Sequence, residues 1–333
     1  RSGILNSIHT FANDPSRGLF ILSFLFILIL MALTIFFFNQ NKSKGAIKES
    51  FIFSKETAIL VNNWFMMFFL SVVLVGTIYP IFLEVLNGSK ISVGPPFYHN
   101  LLIPFLIPFL VFMSFGPSLK WIKDNVRKFE FDLFIIFLIS ILISYFILIK
   151  SEKSFLLSIP LIILSFYLLI ITIKDFFSKK SYLSQKVSHF GFSLLILSIL
   201  LNSLFSFEFN SNMKVGDQRV FKDKIIILKD VIVQDINNYK SLKANFEIKN
   251  KNTTIPLTPE VRIYQQPFTI TSEAAIKTTL LSDNFLVFNI LKDDGYYNIR
   301  YQYKPLMIWI WISTILISIG GVLSILRRNE KKY

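Results

Sequence analysis

Long unbroken apolar stretches alternate with short polar, lysine-bearing links along most of the chain. Seven runs stand out, near Gly18–Phe38, Ala58–Leu83, Leu101–Leu119, Leu133–Ile149, Phe155–Ile173, Phe190–Phe205 and Pro305–Leu326. Each approaches the ~20 residues that a hydrocarbon core requires. Such runs are too continuous for alternating barrel strands, and backbone groups in lipid must be satisfied internally, so the pattern predicts seven transmembrane α-helices. Pro104, Pro108, Pro117 and Pro160 lie in or beside these runs, where proline bends helices.

One region departs from this pattern. Glu208–Tyr303 is polar, with short alternating runs at Lys224–Val233, Lys243–Lys249, Glu260–Tyr264 and Tyr297–Tyr303. Turn signals at Asn237-Asn238, Asn250–Asn252 and Asp293-Asp294-Gly295 separate them. The expectation is a β-rich domain, sandwich- or barrel-like, inserted before the last helix, with one short helix at Ser272–Leu281 started by Ser272 and Glu273. The chain then divides into a six-helix membrane bundle with a short external N-terminal segment (1–206), an external β-rich domain (207–303), and a last helix with a basic tail (304–333).

Composition fits this reading. Of 333 residues 53% are hydrophobic, 37 are Phe, and only 17% are charged, against roughly a quarter in soluble domains. The net charge of +14 sits in clusters between apolar runs, which speaks for membrane topology and not for a nucleic-acid face. Lys42, Lys44, Lys48 and Lys55, then Lys120, Lys123, Arg127 and Lys128, then Lys174, Lys179, Lys180 and Lys186, and last Arg327, Arg328, Lys331 and Lys332 fall on one side of a seven-span arrangement. The positive-inside rule makes that side cytoplasmic and puts the β domain outside. There is no Cys, which excludes disulfides, thiolate metal sites and thiol nucleophiles in this chain, and three His are too few for a multi-histidine cage. The first residue, Arg1, suggests a fragment or a processed chain.

Ionisable groups are almost absent from the span interiors, which argues against an ion or proton relay. His189 opens the sixth run in Ser188-His189-Phe190-Gly191. A neutral imidazole there can ligate haem iron, and Gly191 and Ser193 would let a flat macrocycle or another helix approach; the alternative is an interfacial histidine that touches only headgroups. His9 precedes the first run on the external side, either offering its imidazole to a ligand at the membrane surface or merely solvated. Gly94, Pro95, Pro96 and Phe97 predict a stiff external turn before His99, lining a site or purely structural. Trp309 and Trp311 fit the interfacial aromatic belt.

Several strings together resemble the CcmF family: Arg1-Ser2-Gly3-Ile4-Leu5-Asn6-Ser7-Ile8-His9-Thr10-Phe11-Ala12, Lys90-Ile91-Ser92-Val93-Gly94-Pro95-Pro96-Phe97, Thr258-Pro259-Glu260-Val261-Arg262-Ile263-Tyr264, Thr271-Ser272-Glu273-Ala274-Ala275-Ile276, and Tyr303-Lys304-Pro305 leading to Trp309-Ile310-Trp311. The resemblance covers nearly the whole chain in order. It implies a haem lyase component of cytochrome c maturation, in the bacterial inner (cytoplasmic) membrane with the β domain in the periplasm. Haem arrives on the chaperone CcmE and joins the CXXCH cysteines of apocytochrome c as thioethers, with other Ccm proteins such as CcmH as partners. It further implies that His189 is an axial ligand of a resident haem b, and that His9 ligates the haem in transit. Each of the two has a partner upstream. Members of the family are about twice this size and carry a tryptophan-rich motif to which none of the four Trp here belongs, so the chain looks like a C-terminal half. His99 matches no family position. Without the resemblance, a transporter or permease subunit with an external binding domain, or a cofactor-free assembly scaffold, fits the same pattern.

Overall fold

The computed structural model describes residues 15–39, 51–87, 91, 93–123, 131–151, 156–177, 181–250, 253–291 and 295–330. His9 lies outside the described residues. The chain forms two compact units, Arg1–Phe129 and Glu130–Tyr333.

The first unit contains α1 (Pro15–Asn39), α2 (Lys55–Asn87) and α3 (Pro95–Phe115), which runs into a 3-10 turn at Gly116–Ser118. Helices α2 and α3 pack through aromatic side chains, with Phe65 and Phe69 each edge-on to Phe109 at 5.6 Å between ring centres. The Gly-Pro-Pro segment is not a turn. Gly94 is the N-cap of α3, and Pro95 and Pro96 occupy its first positions, where a missing N–H costs nothing and a fixed φ is already helical. The third helix therefore starts six residues before the expected Leu101, and His99 lies exposed in its second turn.

The second unit contains α4 (Phe131–Ile149), α5 (Ser158–Phe177), α6 (Leu183–Phe205), ten strands between Phe207 and Pro305, and α7 (Met307–Glu330). Six helices, α2 to α7, are long and apolar enough to cross a membrane, and α1 adds an apolar stretch at Ser23–Asn39. Hydroxyls inside them are satisfied locally: Ser114, Ser140 and Ser165 donate to carbonyls four residues back at 2.6 to 2.8 Å.

Between α6 and α7 two antiparallel sheets face each other. One has four strands in the order β1 (Phe207–Met213), β10 (Tyr297–Pro305), β9 (Ser282–Ile290), β8 (Ala275–Thr278). The other runs β2 (Gln218–Phe221), β3 (Lys224–Ile236), β4 (Tyr239–Asn250), β6 (Glu260–Gln265), β7 (Phe268–Glu273), with β5 (Thr253–Leu257) also paired to β4. Ile226, Leu228 and Phe246 from one sheet meet Leu286, Phe288 and Ile299 from the other in a single core, so the domain is a sandwich. Each such side chain contributes about 1.5–3 kcal/mol on burial. A bulge between Leu228 and Asp230 shifts the alternation along β3, so the inward set continues at Val231 instead of Asp230.

The expected helix at Ser272–Leu281 is absent. Phe268–Glu273 pairs with β6, and Ala275–Thr278 pairs with β9 in the other sheet. Ser272 and Glu273 mimic a helix start, but the alternating Thr269, Ile270 and Thr271 favour a pleated ladder, and sheet pairing overrides the local signal.

Candidate functional site

The candidate site residue that the structure describes best is His189, on α6. This helix begins at Leu183, seven residues before the expected Phe190, so His189 sits in its second turn, about 9 Å along the axis at 1.5 Å per residue, and not at its opening. The side chain is half-buried.

Two neighbours hold α6 in place. Against α7 the contact is between backbones: a Cβ at Gly191 would stand 3.0 Å from the Ser313 carbonyl oxygen, the Ile317 nitrogen and Leu316 Cβ. A Cβ at Gly320 would meet Ser188 Oγ and come within 2.8 Å of the Ser184 carbonyl oxygen and the Ser188 nitrogen. Ser184, Ser188 and Gly191 recur at helical spacing, which puts a small-residue stripe of α6 on α7. Against α5, the hydroxyls of Thr172 and Ser193 lie 3.0 Å apart, and Phe176 meets Phe190 edge-on. Gly191 and Ser193 are thus used for helix contacts. Of the two approaches their size allows, a helix takes the place beside Gly191.

Both ends of the α6–α7 pair are fixed. At one end Arg327 lies over the Tyr182 ring, 3.0 Å from its centre. At the other, Asn202 Nδ2 donates to the Pro305 carbonyl at 2.5 Å, and Ser206 Oγ donates to the Asn202 carbonyl at 2.6 Å. The sandwich begins and ends there, so its base and the helix carrying His189 form one connected piece.

His189 is the single histidine of the Glu130–Tyr333 unit, so that unit can offer one imidazole nitrogen to a metal and no second one. Among the described residues no group of three or more His, Asp or Glu gathers as a metal site. Gly94 and Phe97 are half-buried and Pro95 and Pro96 exposed in the first turn of α3, in the other unit.

The sequence reading treated the charged residues of the sandwich as a solvated surface and missed a buried cation. Lys224 Nζ donates to Tyr301 Oη at 2.8 Å and to Asn284 Oδ1 at 3.2 Å, and lies 3.8 Å from the centre of the Tyr303 ring. Tyr301 is fully buried, and its hydroxyl donates to the same Asn284 oxygen at 2.6 Å. Burial pushes the Lys224 ammonium down to about 8, with the Asp223 carboxylate opposing, and burial raises the Tyr301 phenol. The signal was in the parity: Lys224 shares the inward face of Ile226 and Leu228, as Asn284 does with Leu286 and Phe288. On the outer face of the second sheet, Glu260 accepts from Ser241 and from Arg262 at 2.9 Å, and Arg262 holds its carboxyl below the usual range.

Helices of this length and apolarity, with a β-sandwich inserted before the last one, define a multi-pass membrane protein of helix-plus-sandwich type. Residues 204–305 match the family described as the CcmF C-terminal β-sandwich. Across 99% of its length the chain is 27% identical to the cytochrome c-type biogenesis protein CcmF of Pseudomonas aeruginosa, of which it covers 52%. It is 27% identical to the Escherichia coli protein of the same name over 100% of this chain and 53% of that one. The solved structure named cytochrome c heme lyase CcmF superposes with a TM-score of 0.63 at 18% identity, over 82% of this chain and 46% of that one, a likeness of fold. These matches make the chain similar to CcmF proteins along its length, with the sandwich matching their C-terminal domain, and it spans about half the length of the relatives it matches.

Proposed function

We propose that the chain is the part of a cytochrome c maturation haem lyase that holds a resident haem b through His189 and presents the sandwich toward the haem in transit. The observation that carries this reading is the coupling of a CcmF-type sandwich to a helix pair whose one histidine is half-buried in a candidate span. His189 would hold the haem iron through one imidazole nitrogen, and any further protein ligand would come from outside this unit. When bound, the resident haem supplies a reservoir for the electron that keeps transferring iron reduced. The protein's own residues position: α7 and α5 clamp α6, so the backbone that carries His189 is fixed before any ligand arrives and less ordering is left to be done on binding.

The haem in transit is substrate. Its attachment adds a cysteine S–H across each vinyl C=C, forming a C–S bond and returning the proton to carbon. This chain has no cysteine, so in this reading the thiols are those of apocytochrome c and catalysis is orientation of two bound partners. His9 holds the iron of that haem, CcmE delivers it, and CcmH is among the partners. The lysine and arginine asymmetry of the links supports a sandwich outside the cytoplasm, and the bacterial relatives support the inner membrane, which makes that side the periplasm.

Complementation of a maturation-deficient strain tests this. His9→Ala abolishes covalent cytochrome c while leaving the resident haem in the purified protein, and His189→Ala abolishes both. Full maturation by both variants overturns the proposal.

A further inference from the structure

Leu280 and Leu281 project from the β8–β9 turn with 65% and 72% of their surface exposed. The turn is ordered: Thr279 N and Thr279 Oγ1 donate to the Ser282 carbonyl at 2.9 and 2.8 Å, and Ser282 N donates back to Thr279 Oγ1 at 3.0 Å. Two large apolar side chains are therefore held out rigidly, an arrangement that loses hydrophobic free energy if water is the neighbour.

The turn is also fixed in depth. Leu306 N donates to the Leu281 carbonyl at 2.8 Å, and Trp309 Nε1 donates to the Leu280 carbonyl at 2.8 Å. Leu306 has a left-handed backbone (φ 57°) and directly precedes α7. The candidate span Met307–Arg327 has 21 residues, about 30 Å at 1.5 Å per residue, which is about the thickness of a hydrocarbon core. Met307 then stands at the boundary, and Leu280 and Leu281 are level with it. Trp311, 63% exposed on the first turns of α7, belongs to the same belt.

Cations surround this base at headgroup height. Lys304 lies on β10 beside the turn, Lys277 is exposed on β8, and Lys222, at the tip of the β2–β3 turn, lies over Phe207, two residues beyond the end of α6. Acidic groups share the same base: Asp223 follows Lys222, Asp283 lies across from Lys304 in the β9–β10 ladder, and Glu208, next to Phe207, is held by Arg300.

We infer that the β8–β9 turn is a lipid-binding element: Leu280 and Leu281 enter the bilayer interface on the sandwich side, with phosphates meeting Lys222, Lys277 and Lys304. This seats the sandwich on the membrane at a third point besides its two chain connections, and so sets the height at which its surface works. The inference rests on the reading that α7 crosses the bilayer.

This chain has no cysteine of its own, so within it each label sits at one position, and any cysteine elsewhere in the complete protein is first replaced by serine. Leu281→Cys, and separately Leu280→Cys, carry a nitroxide in the complete protein reconstituted in phosphatidylcholine–phosphatidylglycerol vesicles. Collision rates with oxygen and with a water-soluble nickel chelate give its depth. Ile315→Cys, mid-α7 and 59% exposed, and Phe268→Cys, on the sandwich and 74% exposed, are the references. The expected result is an oxygen-to-nickel ratio at 280 and 281 several-fold above that at 268. A ratio equal to that at 268, with 315 in lipid, overturns the inference and leaves the span intact. A watery signal at 315 overturns the span reading as well.

Discussion

Neighbouring glycines of α7 carry opposite predictions. Gly320 faces α6, and a methyl there comes within 2.8 Å of two backbone atoms of Ser184 and Ser188; Gly321 has nothing within 4 Å. Both substitutions to alanine gain the same helix propensity, about 1 kcal/mol. Only Gly320→Ala forces the helices apart, by roughly 0.6 Å if 2.8 Å opens to the 3.4 Å of ordinary contact. Overpacking of this kind costs about 1–3 kcal/mol, and comparing the two variants cancels the propensity term. Gly321→Ala is therefore neutral or stabilising, and Gly320→Ala lies about 1–3 kcal/mol below it. Ser188→Gly in the Gly320→Ala background removes the hydroxyl conflict but not the backbone one, so rescue is partial. Unfolding of the detergent-solubilised protein, followed by circular dichroism, reads the difference. Equal stability of the two alanine variants would refute the close α6–α7 contact, and with it the clamp proposed for His189, which follows Ser188 in the chain.

Other predictions concern the sandwich. Because burial lowers Lys224 from 10.5 to about 8, the unfolded chain holds more protons between those values, and stability rises with pH across that window; its penalty is fully present below about 8. Tyr301, raised by burial, opposes this only above its ordinary value near 10. Lys224→Met leaves the Tyr301–Asn284 bond intact and abolishes the rise between about pH 8 and 10, as pH-dependent melting will show; a persisting rise contradicts the assignment. Arg300 grips Glu208 through two bonds of 2.8 and 2.9 Å, Gln302 adds a third at 2.7 Å, and the carboxyl is held at about 2. That stabilisation is present above about 4.5, is lost as pH falls through about 2, and stays under about 1 kcal/mol because both side chains are partly exposed. A double-mutant cycle of Glu208→Gln and Arg300→Gln measures it.

The membrane helices were legible because length alone separates spans from core segments, and all seven apolar runs coincide with helices. Their ends were less so. Pro95 and Pro96 read as breakers, yet at a helix N-terminus they are initiators, and the polar Ser184, Gln185 and Lys186 hid the first turn of α6. The four alternating runs in the sandwich all became strands, while Ser272–Leu281 did not reveal its two ladders, whose partners lie in different sheets. Lys224 was legible only by parity, since a lysine at the mouth of a strand ordinarily reaches water. His189 was picked out as a residue, but its setting depends on Gly320, 131 positions later, whose effect appears only once α6 and α7 are antiparallel neighbours.

The most direct test of the account is the visible absorption spectrum of the protein purified from its native membranes with its partners in place. The account predicts the Soret and α bands of a six-coordinate b-type haem, lost in His189→Ala and partly restored by added imidazole. An unchanged spectrum in His189→Ala, or a colourless native protein, would contradict it.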